Sequence, residues 1–148
     1  MTTESARLAL PFIAAGQAQK EWTHNEALAL LDIAVQASVA AAGVDAPPAD
    51  PEPGGCWIVG AAPTGAWAGR AGAIAGWTDG GWRFLAPRDG MAAWSLSDGA
   101  SVRYAAGEWR MERSAPIAAP AGGAVIDAEC RAAVVAILAA LAEQGRLG

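Results

Sequence analysis

The sequence predicts an α+β fold: an N-terminal arm and helix, a central Trp-rich antiparallel β meander forming a small barrel or rolled sheet, and a C-terminal helix. Three observations predict it. Six of the seven Trp (Trp57, Trp67, Trp77, Trp82, Trp94 and Trp109) fall between Cys56 and Arg113, where short apolar runs alternate with Gly-containing turns. Apolar residues recur at helical spacing before and after this stretch. Pro- and Gly-rich segments separate the three parts. The boundaries expected are an arm and helix over 1–43, a Pro-rich linker over 44–55 and a β module over 56–113. A second linker over 114–124 and a helix over 125–148 complete the chain.

Taken in order, residues 1–6 are polar. Arg7 to Ile13 is apolar, and Pro11 bars it from running as a helix. An extended apolar arm has two uses: it folds back on its own core, or it docks on another protein. Thr23-His24-Asn25-Glu26 fits a capping box. Leu28, Leu31, Val35 and Val39 then share one helical face, with Gly43 placed to end the helix. Pro47, Pro48, Pro51 and Pro53 make the next segment an extended connector. Short strands are expected near 56–60, 66–68, 73–77, 82–86, 91–96, 101–105 and 108–112. Asp-Gly steps between them favour hairpins, because Gly reaches positive φ without a Cβ clash.

The meander contains a weak repeat. Trp77-x-x-Gly80-x-Trp82-Arg83-Phe84 matches Tyr104-x-x-Gly107-x-Trp109-Arg110-Met111. Each copy reads as a hairpin with an aromatic before the turn and another on the returning strand. Such cross-strand pairs contribute roughly 0.2–1 kcal/mol each. After Pro116, Pro120, Gly122 and Gly123, Asp127 is an N-cap and Gly145 a stop. Cys130, Val134, Ile137 and Leu141 alternate by four and three, the spacing of a coiled-coil seam. A helix this short is marginal alone and needs a partner.

Composition excludes several functions. A formal charge of −5 with scattered Arg disfavours nucleic acid. Two Cys and one His offer no metal set and no cofactor, and the two thiols are expected to be buried as small hydrophobes rather than joined in a disulfide. No run of about 18 apolar residues predicts a membrane helix, and Leu8 to Gly16 lacks the basic start of a signal peptide. No Walker loop, nucleophile elbow or zinc-protease motif is present, His24 reads as a polar helix-face residue, and Asp79, Asp89 and Asp98 are explained by their turns. The expectation is a protein that is not an enzyme. Trp-rich β modules raise glycan binding as an alternative. Trp67 and Trp94 are then the candidates for an exposed platform, against the plainer reading that these indoles pack the core.

The run Arg7-Leu8-Ala9-Leu10-Pro11-Phe12-Ile13-Ala14-Ala15-Gly16-Gln17-Ala18-Gln19-Lys20-Glu21, followed by Thr23-His24-Asn25-Glu26-Ala27-Leu28, resembles an uncharacterised family of alphaproteobacterial prophages and gene transfer agents. Ala46-Pro47-Pro48, Trp57-Ile58-Val59, Thr64 to Gly69, Ile74 to Trp77 and Gly80 to Phe84 continue the likeness, which spans about residues 7 to 111. The resemblance implies a virion structural protein, made in the bacterial cytoplasm, that forms the base or adaptor of a head spike or tail fibre. Ending at Gly148, the chain is similar to the short form, which would carry a separate fibre protein. Leu8, Leu10, Phe12, Ile13, Gln17, Gln19, Lys20, His24 and Asn25 would then dock on a capsid or tail protein. Cys130, Val134, Ile137 and Leu141 would join copies into a homo-oligomer, a trimer first and a pentamer next.

Overall fold

The computed structural model describes residues 3–14, 16, 20–112, 117–122 and 127–143. They divide into two compact units, residues 1–111 and 112–148. In the first unit, a helix α1 (Lys20–Ala34) precedes eight strands: β1 (Ser38–Val39), β2 (Ala42–Val44), β3 (Cys56–Val59), β4 (Ile74–Thr78), β5 (Gly81–Leu85), β6 (Ala92–Ser95), β7 (Ala100–Ala105) and β8 (Glu108–Met111). The second unit holds α2 (Ala128–Glu143). The α+β class predicted from sequence is the class observed.

Helix α1 is shorter than its apolar pattern suggests and faces another way. It ends at Ala34 rather than near Gly43, and Thr23 lies inside it instead of capping it. Gln36 takes the left-handed conformation (φ 48°) that ends a helix. The buried residues are Ala29, Asp32 and Ile33, whereas Leu31 and Val35 are 49% and 45% exposed. The apolar face read from the sequence therefore points outward at Leu31 and Val35 and is partly covered at Leu28. Val39, expected on that same face, is instead a strand residue in the core.

The strands form two four-stranded sheets, in the orders β1-β6-β7-β8 and β2-β3-β4-β5. Each is an antiparallel three-stranded meander with a short strand from residues 38–44 added in parallel at its edge. The sheets remain separate, with no closed barrel. The meander was legible; the parallel edges were not. Gly43 (φ 75°) sits at a bulge where the register shifts between Ala42 and Val44. The bulge lets Ala42 pack into one hydrophobic cluster and Val44 into another, which a regular strand would not do with residues two apart.

The internal repeat corresponds to the equivalent hairpin of each sheet. Trp77 pairs with Trp82 across β4–β5, ring centroids 4.9 Å apart, and Tyr104 with Trp109 across β7–β8 at 5.4 Å. Ala106 and Gly107 both have positive φ, as a two-residue type I′ turn requires.

One core lies between the sheets and is closed by α1. Ile33 shares one buried cluster with Cys56, Ile58 and Ile74 from one sheet and Val39, Ala93 and Val102 from the other. A Cβ on Gly76 would collide with Ile33, so the helix can approach the sheet there only over glycine. Trp109 Nε1 donates to Gly72 O at 2.7 Å and ties the sheets together. The opposite face of the β2-β3-β4-β5 sheet is also covered. Residues expected as a strand at 66–68 form a 3-10 turn, Gly65–Trp67, that lays Trp67 on Val59, Ala75, Trp57 and Trp82. Trp67 meets Trp82 nearly edge to face at 5.1 Å and Trp57 at 6.2 Å, the offset geometry that ring quadrupoles favour. The Pro-rich segment fixes this lid: Asp45 O accepts from Thr64 N at 2.7 Å, and Asp45 Oδ1 from Ala62 N at 2.9 Å.

In the second unit, Cys130 N donates to Asp127 Oδ1 at 2.8 Å, the expected N-cap. Cys130 and Ile137 are exposed, Val134 is at the edge of exposure and Leu141 is partly covered. Gly145, the expected stop, lies outside the described residues. Both cysteines are free; Cys56 is buried as expected, but Cys130, expected to be buried too, is exposed on a helix that no described residue covers there.

Two predictions follow from this packing. Trp67→Ala removes the lid of the indole cluster and should cost about 3–5 kcal/mol in urea unfolding. Burial raises the Cys56 pKa; nearby Arg7 lowers it in part and Asp32 raises it further. The folded thiol thus keeps its proton at a pH where the unfolded thiol has lost it, so stability should fall as pH climbs past about 9. Urea midpoints should decline less between about pH 8 and about pH 10 in Cys56→Ala than in the wild type.

Candidate functional site

The arm is a small hairpin laid against α1. Ser5 N donates to Leu10 O at 3.0 Å and Phe12 N to Thr3 O at 2.8 Å. Its anchor is Asp32, a carboxylate only 5% exposed on the inner face of α1. Asp32 accepts from Ser5 Oγ at 2.7 Å, Leu8 N at 2.6 Å and Arg7 N at 3.0 Å. Arg7 then turns its guanidinium onto the carbonyls of Asp32, Ile33 and Gln36, groups that the end of a helix leaves without partners. Asn25 holds the second half of the arm: its Oδ1 accepts from Ile13 N at 2.9 Å and its Nδ2 donates to Ile13 O at 3.0 Å.

The residues predicted to dock on a particle fall into distinct positions. Leu8 is exposed, while Leu10, Phe12 and Ile13 are partly covered. Lys20 and His24 are exposed on α1. Asn25 has its amide committed to the arm. Gln17 and Gln19 lie outside the described residues. The arm thus folds back on α1 through polar contacts, while Leu8 on the arm and Leu31 and Val35 on the helix stay exposed. Trp22 adds an exposed indole near the start of α1. Sequence reasoning missed Ser5, Arg7 and Asp32. The signal available was an acid spaced with Ala29 and Ile33 on one helical face, since a carboxylate that turns inward must find donors.

The two indoles proposed as a glycan platform separate cleanly. Trp67 is 0% exposed, so its assignment to an exposed platform is wrong. It was misplaced because its cover comes from Trp57 and Trp82, which are distant in sequence. Trp94 is 47% exposed on the outer face of β6. It borders an open groove of about 420 Å³ that Ala34, Gln36, Ala37, Ala92 and Ser101 also line.

On α2, Cys130, Val134, Ile137 and Leu141 keep the heptad spacing, and Val135 adds exposed apolar surface. Among the described residues no helix is long and apolar enough to cross a membrane.

Asp32→Ala should detach the arm. It leaves the amides of Arg7 and Leu8 without their acceptor and frees Arg7 from its place at the helix end. A loss of about 2–3 kcal/mol in chemical unfolding is expected, with faster amide exchange in residues 3–13 than in β4 and β7.

No curated protein matches this chain. A family model described as "Protein of unknown function (DUF2793)" matches residues 24–110, which take in most of α1 and nearly all of both sheets. The chain belongs to the DUF2793 family.

Proposed function

We propose that this chain is a structural component of a phage-like particle, the base or adaptor that attaches a head spike or tail fibre. The observation that carries the reading is apolar surface left uncovered on two helices. Leu31 and Val35, one turn apart on α1, and Leu8 on the arm leave apolar surface uncovered, and apolar surface of this kind marks protein–protein contacts where it is contiguous. On α2, Cys130, Val134, Ile137 and Leu141 repeat at heptad spacing, and a heptad stripe is complementary to a copy of itself. The resemblance of the Arg7–Leu28 run to prophage and gene transfer agent proteins supplies the setting.

On this reading the two patches divide the work. The arm and α1 dock on a capsid or tail protein, α2 joins copies, and the β module supports a separate fibre protein. The partner surfaces then need no chemistry beyond complementary apolar shape. A trimer is the first expectation for α2 and a pentamer the second.

Sedimentation velocity tests the assembly step. The full chain should sediment as a homo-oligomer, and Ile137→Asp should convert it to monomer and lower its helix content, while the melting transition of the first unit stays where it is. Leu31→Asp together with Val35→Asp should keep the oligomer but abolish attachment to particles lacking this protein. A wild-type monomer that also ignores such particles removes the case.

A further inference from the structure

The outer face of the β1-β6-β7-β8 sheet carries one exposed indole in surroundings unlike the apolar patch on α1. Side chains alternate along a strand, and directly opposed residues share a face. The register therefore places Ser38, Trp94 and Ser101 in one row across β1, β6 and β7. Ala92, Arg103 and Arg110 form the next row. Val39, Ala93, Ser95 and Val102 lie on the other face and are buried. Among the described residues no other ring packs on Trp94, its indole is 47% exposed, and it lies outside both buried clusters. The groove beside it runs between the end of α1 and β6–β7, bordered by Gln36 and Ser101.

We propose that this groove binds a neutral polysaccharide. A pyranose ring lies on the Trp94 indole, and Gln36, Ser38 and Ser101 hydrogen-bond its hydroxyl groups. The chemistry on the face selects that class. An indole presents a negative π face to the C–H groups on the flat side of a sugar ring. Hydroxyl and amide groups around it both donate and accept, as a sugar hydroxyl requires. An acidic sugar would need a cation without a partner, and the face does not supply one. Arg110 is engaged by Glu108 at 2.7 Å, and Arg103 has a partner as well. The Arg7 guanidinium holds the Gln36 carbonyl at 2.9 Å, which fixes that wall of the groove before any ligand arrives. The site is independent of the adaptor reading, because neither Leu31, Val35 nor the α2 stripe contributes to it.

Affinity electrophoresis of the full chain tests the site. The gels would contain dextran, galactomannan or a β-1,3-glucan as neutral probes, and alginate or polygalacturonate as acidic ones. The chain should be retarded by at least one neutral polysaccharide. Trp94→Ala should weaken that retention by at least about tenfold in dissociation constant, whereas Trp94→Tyr keeps most of it. Both variants should melt with the wild type, since the indole lies outside the core. Four results would each overturn the proposal. The first is no retention by any neutral probe, and the second is retention by acidic probes alone. The third is retention that Trp94→Ala leaves unchanged. The fourth is loss of particle attachment in Trp94→Ala with no sugar bound by the wild type, which would make the face a protein contact instead.

Discussion

The architecture of the first unit depends on the Asp32 carboxylate and the donors that surround it. An ionised carboxylate moved out of water is strongly destabilising unless charge-assisted hydrogen bonds replace the lost hydration. The arm supplies them with a serine hydroxyl and two backbone amides. The same segment brings Arg7 to the carbonyl end of α1, where a cation also complements the helix dipole. One contact thus accounts for three features: the arm's path, the helix's early end, and the exit of the chain toward β1. From there residues 38–44 cross from one sheet to the other and contribute an edge strand to each.

What could be read from the sequence divides according to how local the determining contacts are. The Trp77–Trp82 and Tyr104–Trp109 hairpins were legible because turn residues and aromatic partners lie within a few positions of one another. The N-cap at Asp127 was legible for the same reason. The parallel edges were not, since β1 and β2 are too short to show a period and their partners are far along the chain. The α1 face was misread because apolar spacing identifies a stripe without saying what covers it. Leu31 and Val35 make the stronger stripe, yet the helix turns inward the face bearing Ala29, Asp32 and Ile33, where polar clasp and apolar contact combine. Of the proposed sites, Trp94 was legible as an exposed indole. Trp67 was not legible as a buried one, because a Gly-flanked Ala-Trp-Ala run looks the same whether or not a distant Trp pair receives it.

The two sheets repeat one plan but have different environments. The β2-β3-β4-β5 sheet is covered on both faces, by the shared core and by the Trp67 lid. The β1-β6-β7-β8 sheet has its inner face in the core and its outer face exposed, with Ala92, Trp94, Arg103 and Arg110 outward. The difference arises in the connection after the first strand of each meander. Residues 60–73 are long enough to build a 3-10 turn and return over the sheet, whereas residues 96–99 only make a turn. Two sheets of one plan thus differ in cover: one is packed on both faces, and the other leaves its outer face exposed.

Uncovered apolar surface on a small acidic chain also constrains how the parts can be used. Exposed leucine and valine on α1 could be tolerated singly, because much of any protein surface is apolar. Helix α2 is a stronger constraint. Its 16 residues carry three charges, at Glu129, Arg131 and Glu143, and a helix of that length gains little stability from propensity alone. Covering the Val134, Ile137 and Leu141 stripe would supply what propensity does not, at roughly 25 cal/mol per Å² of apolar area removed from water. The folding of α2 and the association of copies are, on the proposed reading, one equilibrium. On that reading the Asp32-clasped unit folds through its own contacts, while the terminal helix takes its stability from the copies it meets.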